Sequence, residues 1–324
     1  MTLSVTTMLM PALEFTKKKA PSAAIIKKVG RGERRIGVDI GGTKIDALVF
    51  NRDDRIIFEK RIDTPKDYDS MVKAIADLVR DAGAGSIGIG APGSSHPETG
   101  IWRNSNLLAS NGKPMAKDLE AAIGRPIRIE NDANCFALSE AKDGAGAGFG
   151  VVAFLTIGTG LGGGLVIDGK IIRGAHSEAA EFGHTGLPWM AEEDWPPLKC
   201  FCGKHGCAEM YVSGTGLVMD YARSTGFELS GPEIIARAKL GAVAASAALK
   251  RLQDRFARIC ANLLNVVDPH IFVMGGGLSA LPELVEDLPP LIARYTFSGE
   301  AKPRVLRAKH GGNSGVRGAA RLWD

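Results

Sequence analysis

Apolar residues recur with two periods along the chain, and the switches between them outline its elements. Ile36, Val38 and Ile40 alternate into a glycine turn, and Ala47, Val49 and Phe50 emerge from it, which predicts a strand, a tight turn and a second strand. Met71, Ile75, Leu78 and Val79 have helical spacing within 69–81. Residues 86–91 predict a short buried strand ending in Pro92-Gly93. A helix is expected over 115–123, a strand over 127–129 and a helix over 132–141. The glycine-rich stretch 144–150 reads as a flexible join. Beyond it, strands over 151–157 and 165–167 flank a second glycine loop. Helices are expected at 213–222, 231–240, 242–267, 282–295 and 314–322, the third ended by Asp268-Pro269. A buried strand at 271–274 runs into Gly275-Gly276-Gly277.

Residues 39–50 lie over 156–167 without a gap, and Ile, Gly, Leu and Val coincide at four positions. Two strand–glycine turn–strand units, one in each half, predict a duplicated domain with a cleft between the copies.

Composition narrows the class. At 324 residues the chain suits one large domain or two ordinary ones, and 45% hydrophobic content fits an α/β protein. The 41 glycines are clustered without a period, as ligand loops require. No apolar run reaches membrane-spanning length, so no membrane partner is expected. The net charge of +4 is local: residues 1–35 hold eight of the forty basic residues and two of the 36 acidic ones. The remaining 32 basic and 34 acidic residues leave no footprint for nucleic acid. Residues 1–34 are expected to be a disordered basic extension.

Candidate chemistry sits in four places. In the first turn, glycines let backbone amides approach phosphate oxygens, and Thr43 and Lys44 add a hydroxyl and a charge to Gly41 and Gly42. Asp39, at the strand end, suits water-mediated Mg²⁺. A plain hairpin turn explains the same residues less chemically. The second loop contains a G-x-G-x-x-G match at Gly158, Gly160 and Gly163. A strand rather than a helix follows it, which excludes a dinucleotide fold. Two such loops facing each other can clamp a triphosphate. Asn131-Asp132 offers a carboxylate to take a proton from a sugar hydroxyl, although an Asp at a helix start is more often a cap. Glu181 and His184, three apart, share a face and suit paired sugar hydroxyls, or else form a surface pair. Cys200, Cys202 and Cys207 with His184 supply one nitrogen and three thiolates, a set for a closed structural Zn²⁺.

Taken in order, the chain resembles the ROK family of sugar kinases from about Arg35 to its end. The resemblance is carried by Gly37-Val-Asp-Ile-Gly-Gly-Thr-Lys44, Ala91-Pro-Gly93, Glu130-Asn-Asp-Ala-Asn134, Gly158-Thr-Gly-Leu-Gly-Gly-Gly164, Glu181-Phe-Gly-His184, the Cys200–Cys207 cluster and Gly275-Gly-Gly277. It implies an actin-like, hexokinase-like α/β fold, a duplicated ribonuclease H-like pair of domains around a cleft. The small domain would be 35–148, completed by a helix at about 312–324, and the large domain 149–311. Asp132 would be the general base, and Asn106, Asn131, Glu181, His184 and Glu209 would hold the sugar. Asp39, Gly41, Gly42, Thr43, Lys44, Gly158, Thr159, Gly160, Gly162, Gly163 and Gly275, Gly276, Gly277 would take ATP and its Mg²⁺. His184, Cys200, Cys202 and Cys207 would bind zinc, and the protein would be a cytoplasmic homodimer. Within the family the chain looks most like fructokinases of the manno(fructo)kinase type, on Gly186-Leu-Pro-Trp-Met190 and Ser213-Gly-Thr-Gly216. Fructose 6-phosphate is thus the expected product, with a mannose, glucose or N-acetylhexosamine kinase as the alternative. The family's sugar-sensing repressors are the rival of another class, disfavoured because 1–34 does not read as a helix-turn-helix. A zinc-stabilised sugar-binding protein without catalysis is disfavoured by Asp132 and both loops.

Overall fold

The computed structural model describes residues 34–324; the basic extension expected before Arg35 lies outside them apart from Arg34. Strands β1 (Arg35–Ile40), β2 (Lys44–Phe50) and β3 (Ile56–Asp63) form an antiparallel meander. Helix α1 (Tyr68–Ala82) leads to β4 (Ser86–Ala91), parallel to β1. A small hairpin, β5 (Ser94–Ser95) with β6 (Trp102–Arg103), and helix α2 (Met115–Ile123) lead to β7 (Ile127–Asn131), parallel to β4. The sheet order is β3-β2-β1-β4-β7. Helix α3 (Asp132–Lys142) follows directly.

The second half repeats this plan. Strands β8 (Val151–Ile157), β9 (Leu161–Ile167) and β10 (Lys170–Ile171) are an antiparallel meander. Helices α4 (Gly214–Thr225), α5 (Gly231–Lys239) and α6 (Val243–Val267) precede β11 (Ile271–Gly275), parallel to β8. Helix α7 (Pro289–Tyr295) precedes β12 (Val305–Arg307), parallel to β11, and α8 (Ser314–Ala320) closes the chain. The order β10-β9-β8-β11-β12 matches the first sheet strand for strand. The internal echo lays β1, its turn and β2 over β8, its turn and β9.

Local chemistry explains most boundaries. Helix α1 buries Met71, Ile75, Leu78 and Val79, begins where the Asp67 carboxylate accepts from Ser70 N at 2.8 Å, and ends at Gly83 with φ +84°. Helix α8 returns to the first sheet and lies flush on it. A Cβ on Gly88 would stand 1.7 Å from the carbonyl of Ala319, and one on Gly318 would stand 1.7 Å from that of Cys135. Only glycine permits these approaches. Glu140, fully buried near the end of α3, accepts from Ala145 N (2.9 Å), Lys309 N (2.9 Å), His310 N (3.1 Å) and Ser314 Oγ (2.9 Å). One carboxylate so ties α3 to both chain segments that pass between the halves.

Two expected elements differ. The return strand of the second loop starts at Leu161, not residue 165, because Gly162, Gly163 and Gly164 pair with Thr156, Leu155 and Phe154 of β8. The helix expected over 282–295 is two pieces, a short turn at Pro282–Leu284 and α7. The N–H groups of Val285, Glu286 and Asp287 all turn back to the carbonyl of Pro282, and Pro289 restarts the helix. No helix among the described residues is long and apolar enough to cross a membrane.

Candidate functional site

The junction of β7 and α3 places the two residues singled out for chemistry. Asn131 is the N-cap: its Oδ1 accepts from Asn134 N at 3.1 Å, and its Nδ2 donates to the Gly93 carbonyl at 3.1 Å. Asp132 is the first residue of α3, half-buried, with Oδ1 accepting from Ala133 N at 2.8 Å. Burial lifts its pKa above the usual carboxylate range despite that amide, which makes it a stronger base than a solvated Asp. Asp39, at the end of β1, is pushed up to about 7 by burial first and then by the charges of Asp132 and Asp46. Its Oδ2 faces Gly315 at the start of α8. Elements from both ends of the chain so converge on one acidic pair.

The two glycine turns are each three residues long. In the first, Gly41 N donates to Lys44 O at 2.9 Å, and Thr64 braces it from β3's end through Oγ1 to Gly41 O (2.8 Å) and N to Thr43 O (3.0 Å). Gly42, Thr43 and Lys44 remain exposed. In the second, Gly158 N donates to Gly160 O at 3.0 Å. The start of α4 grips this turn: Gly214 N donates to Gly158 O at 2.7 Å and Thr215 Oγ1 to Thr159 O at 2.9 Å. Gly275 pairs with Thr156, and Gly276 lies against the Ile157 carbonyl, so the 275–277 turn borders the same edge. Gly162 and Gly163, expected among the phosphate residues, lie in β9 rather than in the turn. There Gly162 faces Thr156 and Ala133, and Gly163 faces Phe182. The bare strand lets α3 approach β9. The role of α4 is absent from the expected set; the Ser213 cap before Gly214-Thr215-Gly216 is the local signal for it.

Glu181 precedes a single 3₁₀ turn, Phe182–His184. Loss of water raises the Glu181 pKa, the negative charges of Asp132 and Glu209 add to this, and His184 opposes it. Glu209 Oε2 accepts from Leu161 N at 2.9 Å, anchoring it to the second turn. Glu130, Asn131, Asn134 and Glu181 line one small cavity together with Arg173 and Ser94. Asn106 is exposed and has no side-chain hydrogen bond among the described residues. Glu130 and Arg173 were not anticipated as site residues; they are 43 positions apart, and only folding joins them.

His184, Cys200, Cys202 and Cys207 converge, with all four ligand atoms within 4.8 Å of one another. Cys200 Sγ lies 3.7 Å from His184 Nδ1, and Cys202 Sγ lies 3.5 Å from Cys207 Sγ. A tetrahedral Zn²⁺ with Zn–S near 2.3 Å sets its sulfurs about 3.8 Å apart, so the donor set fits that ion. Short bridges, Gly186 with Cys207 and Lys199 with His205, fold the segment back on itself. Behind it, the buried Asp194 binds Arg255 (2.7 Å) and Arg258 (2.9 Å) of α6, which fixes the preceding stretch.

Two sheets of one topology, each with a three-residue glycine turn between paired strands, define the actin-like two-domain class. The chain belongs to the ROK family, which it matches over residues 35–324. It is 42% identical over 296 residues to a protein named N-acetyl-D-glucosamine kinase from Escherichia coli (strain K12 / DH10B), with 88% of this chain and 98% of that protein covered. Among solved structures it is similar to the ROK hexokinase from Thermus thermophilus (TM-score 0.78, 30% identity, 89% of this chain and 96% of that one). It is also similar to a ROK family glucokinase from Streptomyces griseus in complex with glucose and AMPPNP (TM-score 0.71, 32% identity, 89% and 98%).

Proposed function

We propose that the protein is an ATP- and Mg²⁺-dependent sugar kinase that phosphorylates N-acetyl-D-glucosamine at its primary hydroxyl. The sugar-kinase reading is supported by the family and by a relative solved with glucose and an ATP analogue. The choice of sugar is carried by one observation, the 42% identity along 98% of the E. coli N-acetyl-D-glucosamine kinase. This moves the N-acetylhexosamine alternative ahead of the fructose expected from 186–190.

Asp132 takes the hydroxyl proton as the oxygen attacks the γ-phosphorus, its raised pKa suiting it to the task. Asn106, Asn131, Glu181, His184 and Glu209 hold the sugar. The turns at 41–44 and 158–160, with Gly275–Gly277, take the nucleotide. Asp39 is the residue to hold Mg²⁺, which when bound offsets phosphate charge. A cation there relieves the repulsion between Asp39 and Asp132. His184, Cys200, Cys202 and Cys207 would hold Zn²⁺, and with His184 Nδ1 turned to Cys200 Sγ its Nε2 would remain for a sugar hydroxyl. The halves, 35–148 with 312–324 and 149–311, act as lobes whose closure excludes water.

The test is ADP release with ATP against N-acetylglucosamine, glucose, mannose and fructose, with and without Mg²⁺. N-acetylglucosamine is expected to lead fructose in kcat/KM by at least about tenfold, the scale set by a few lost contacts. A lead for fructose restores the fructokinase reading. No Mg²⁺-dependent turnover with any sugar overturns the kinase reading in favour of a sensor or binding protein.

A further inference from the structure

A second set of polar contacts crosses the cleft beside Asn131 and Asp132, and the mechanism above leaves it unused. Glu130, at the end of β7, is 7% exposed. Its Oε1 accepts from Asn131 N (2.9 Å) and from Asn134 Nδ2 (3.1 Å). Its Oε2 accepts from Nε of Arg173, which follows β10 in the second half of the chain. From the first half, Arg103 of β6 reaches the same segment: it donates to the His176 carbonyl at 2.7 Å and lies 3.3 Å from the Glu178 carboxylate. Two ion pairs of opposite polarity therefore stitch residues 173–178 across the cleft. The segment takes a constrained course, with Gly174, Ser177 and Ala180 all at positive φ (74°, 55° and 67°) and Ala179 N bonded back to Arg173 O at 3.1 Å. Positive φ at Ser and Ala is unfavourable and persists where neighbours impose it. It delivers the chain directly to Glu181.

We infer that Arg173 and Glu130 are positioning residues for phosphoryl transfer, holding Asn131 and the start of α3 in register with Glu181 on the opposite side of the cleft. The inference rests on the reading of Asn131, Asp132 and Glu181 as the sugar site. Three hydrogen bonds hold Asn131: its N donates to Glu130, its Oδ1 accepts from Asn134 N and its Nδ2 donates to the Gly93 carbonyl, which leaves one N–H of Nδ2 for a sugar hydroxyl. The direction of its amide, and of the helix start that carries Asp132, follows Glu130. Glu130 lies among other acidic groups, Asp39 and Asp132, around Cys135, and Arg173 is the cation that reaches it from the exposed side. Arg173 itself is 55% exposed, so the pair contributes little to global stability and much to local geometry.

The test compares Arg173→Met, Arg173→Lys, Glu130→Gln and the Glu130→Gln/Arg173→Met double variant in steady-state kinetics with N-acetylglucosamine and ATP. Asp132→Asn is assayed beside them, and thermal unfolding is recorded for each. Arg173→Met is expected to lower kcat/KM for the sugar about 10- to 100-fold, with KM for ATP within about twofold and Tm within about 2 °C. Arg173→Lys is expected to recover to within about threefold of the parent. The double variant is expected to be no worse than the poorer single one, as for residues acting as a unit. Parental kcat/KM in Arg173→Met, a loss shared equally by KM for ATP, or additive losses in the double variant would overturn the inference. Should Glu130→Gln fail to fold, the two Arg173 variants on the exposed side of the pair carry the test. Asp132→Asn with parental turnover sinks the site reading; a dead Asp132→Asn beside a fully active Arg173→Met sinks only the positioning role.

Discussion

Asp39 shows how position sets the chemistry of a single side chain. A carboxylate at the end of a buried strand, facing Gly315 and sharing its surroundings with Asp132, holds its proton up to a pH of about 7. An unfolded Asp loses it near 3.9. Between those values the folded protein binds more protons than the unfolded chain, so the Asp39 contribution falls as pH rises through the window and is flat above it. Urea unfolding of Mg²⁺-free protein from pH 4.5 to 8 is expected to show Asp39→Asn gaining stability over the parent as pH rises, by a few kcal/mol at most. A constant difference across that range would remove the buried-pair account. At this scale the sequence was informative where residue types imply chemistry directly. Asn131 and Glu181 line one cavity, and His184 joins the three cysteines. Glu130 and Arg173 were not legible as a pair, since an ion pair between distant positions leaves no local pattern.

Among the elements, those with a strong period were legible. Helix α2 and strand β8 begin and end where their spacing predicts, and α6 is offset by one residue at its start. Strand β3 was not, because most of it is exposed and its apolar residues do not alternate. Strands β10 and β12, of two and three residues, are too short for any period to register. The glycines of β9 looked like loop because glycine marks both turns and close backbone approach; here Gly164 is taken up by contact with Ala133 and Ala137 of α3. The stretch from Glu181 to Cys207 has little regular structure, only short 3₁₀ turns and two isolated bridges, and four candidate metal ligands converge in it. Metal analysis is expected to find about one zinc per chain, and Cys207→Ser to lose it, raising KM for the sugar about tenfold or more with little change in KM for ATP. Zinc-free protein with parental KM would show that the cysteines do not support the site.

For the molecule as a whole, the gap-free echo between 39–50 and 156–167 anticipated two sheets of one topology, and the strand orders agree throughout. A strand–turn–strand unit carries its register in local sequence. The parallel strands that complete each sheet are joined through helices, and their order emerges only in the fold. Duplication gives each half a glycine turn, and α3 leads from one half to the other with Asp132 at its head and Glu140 near its foot. Phosphoryl transfer with Asp132 as base is put to the test by turnover in Asp132→Asn, with sugar affinity measured calorimetrically in the same protein. A fall in kcat of about 10²- to 10⁴-fold is expected, with Kd for N-acetylglucosamine within about tenfold of the parent. A kcat within about tenfold of the parent would contradict it.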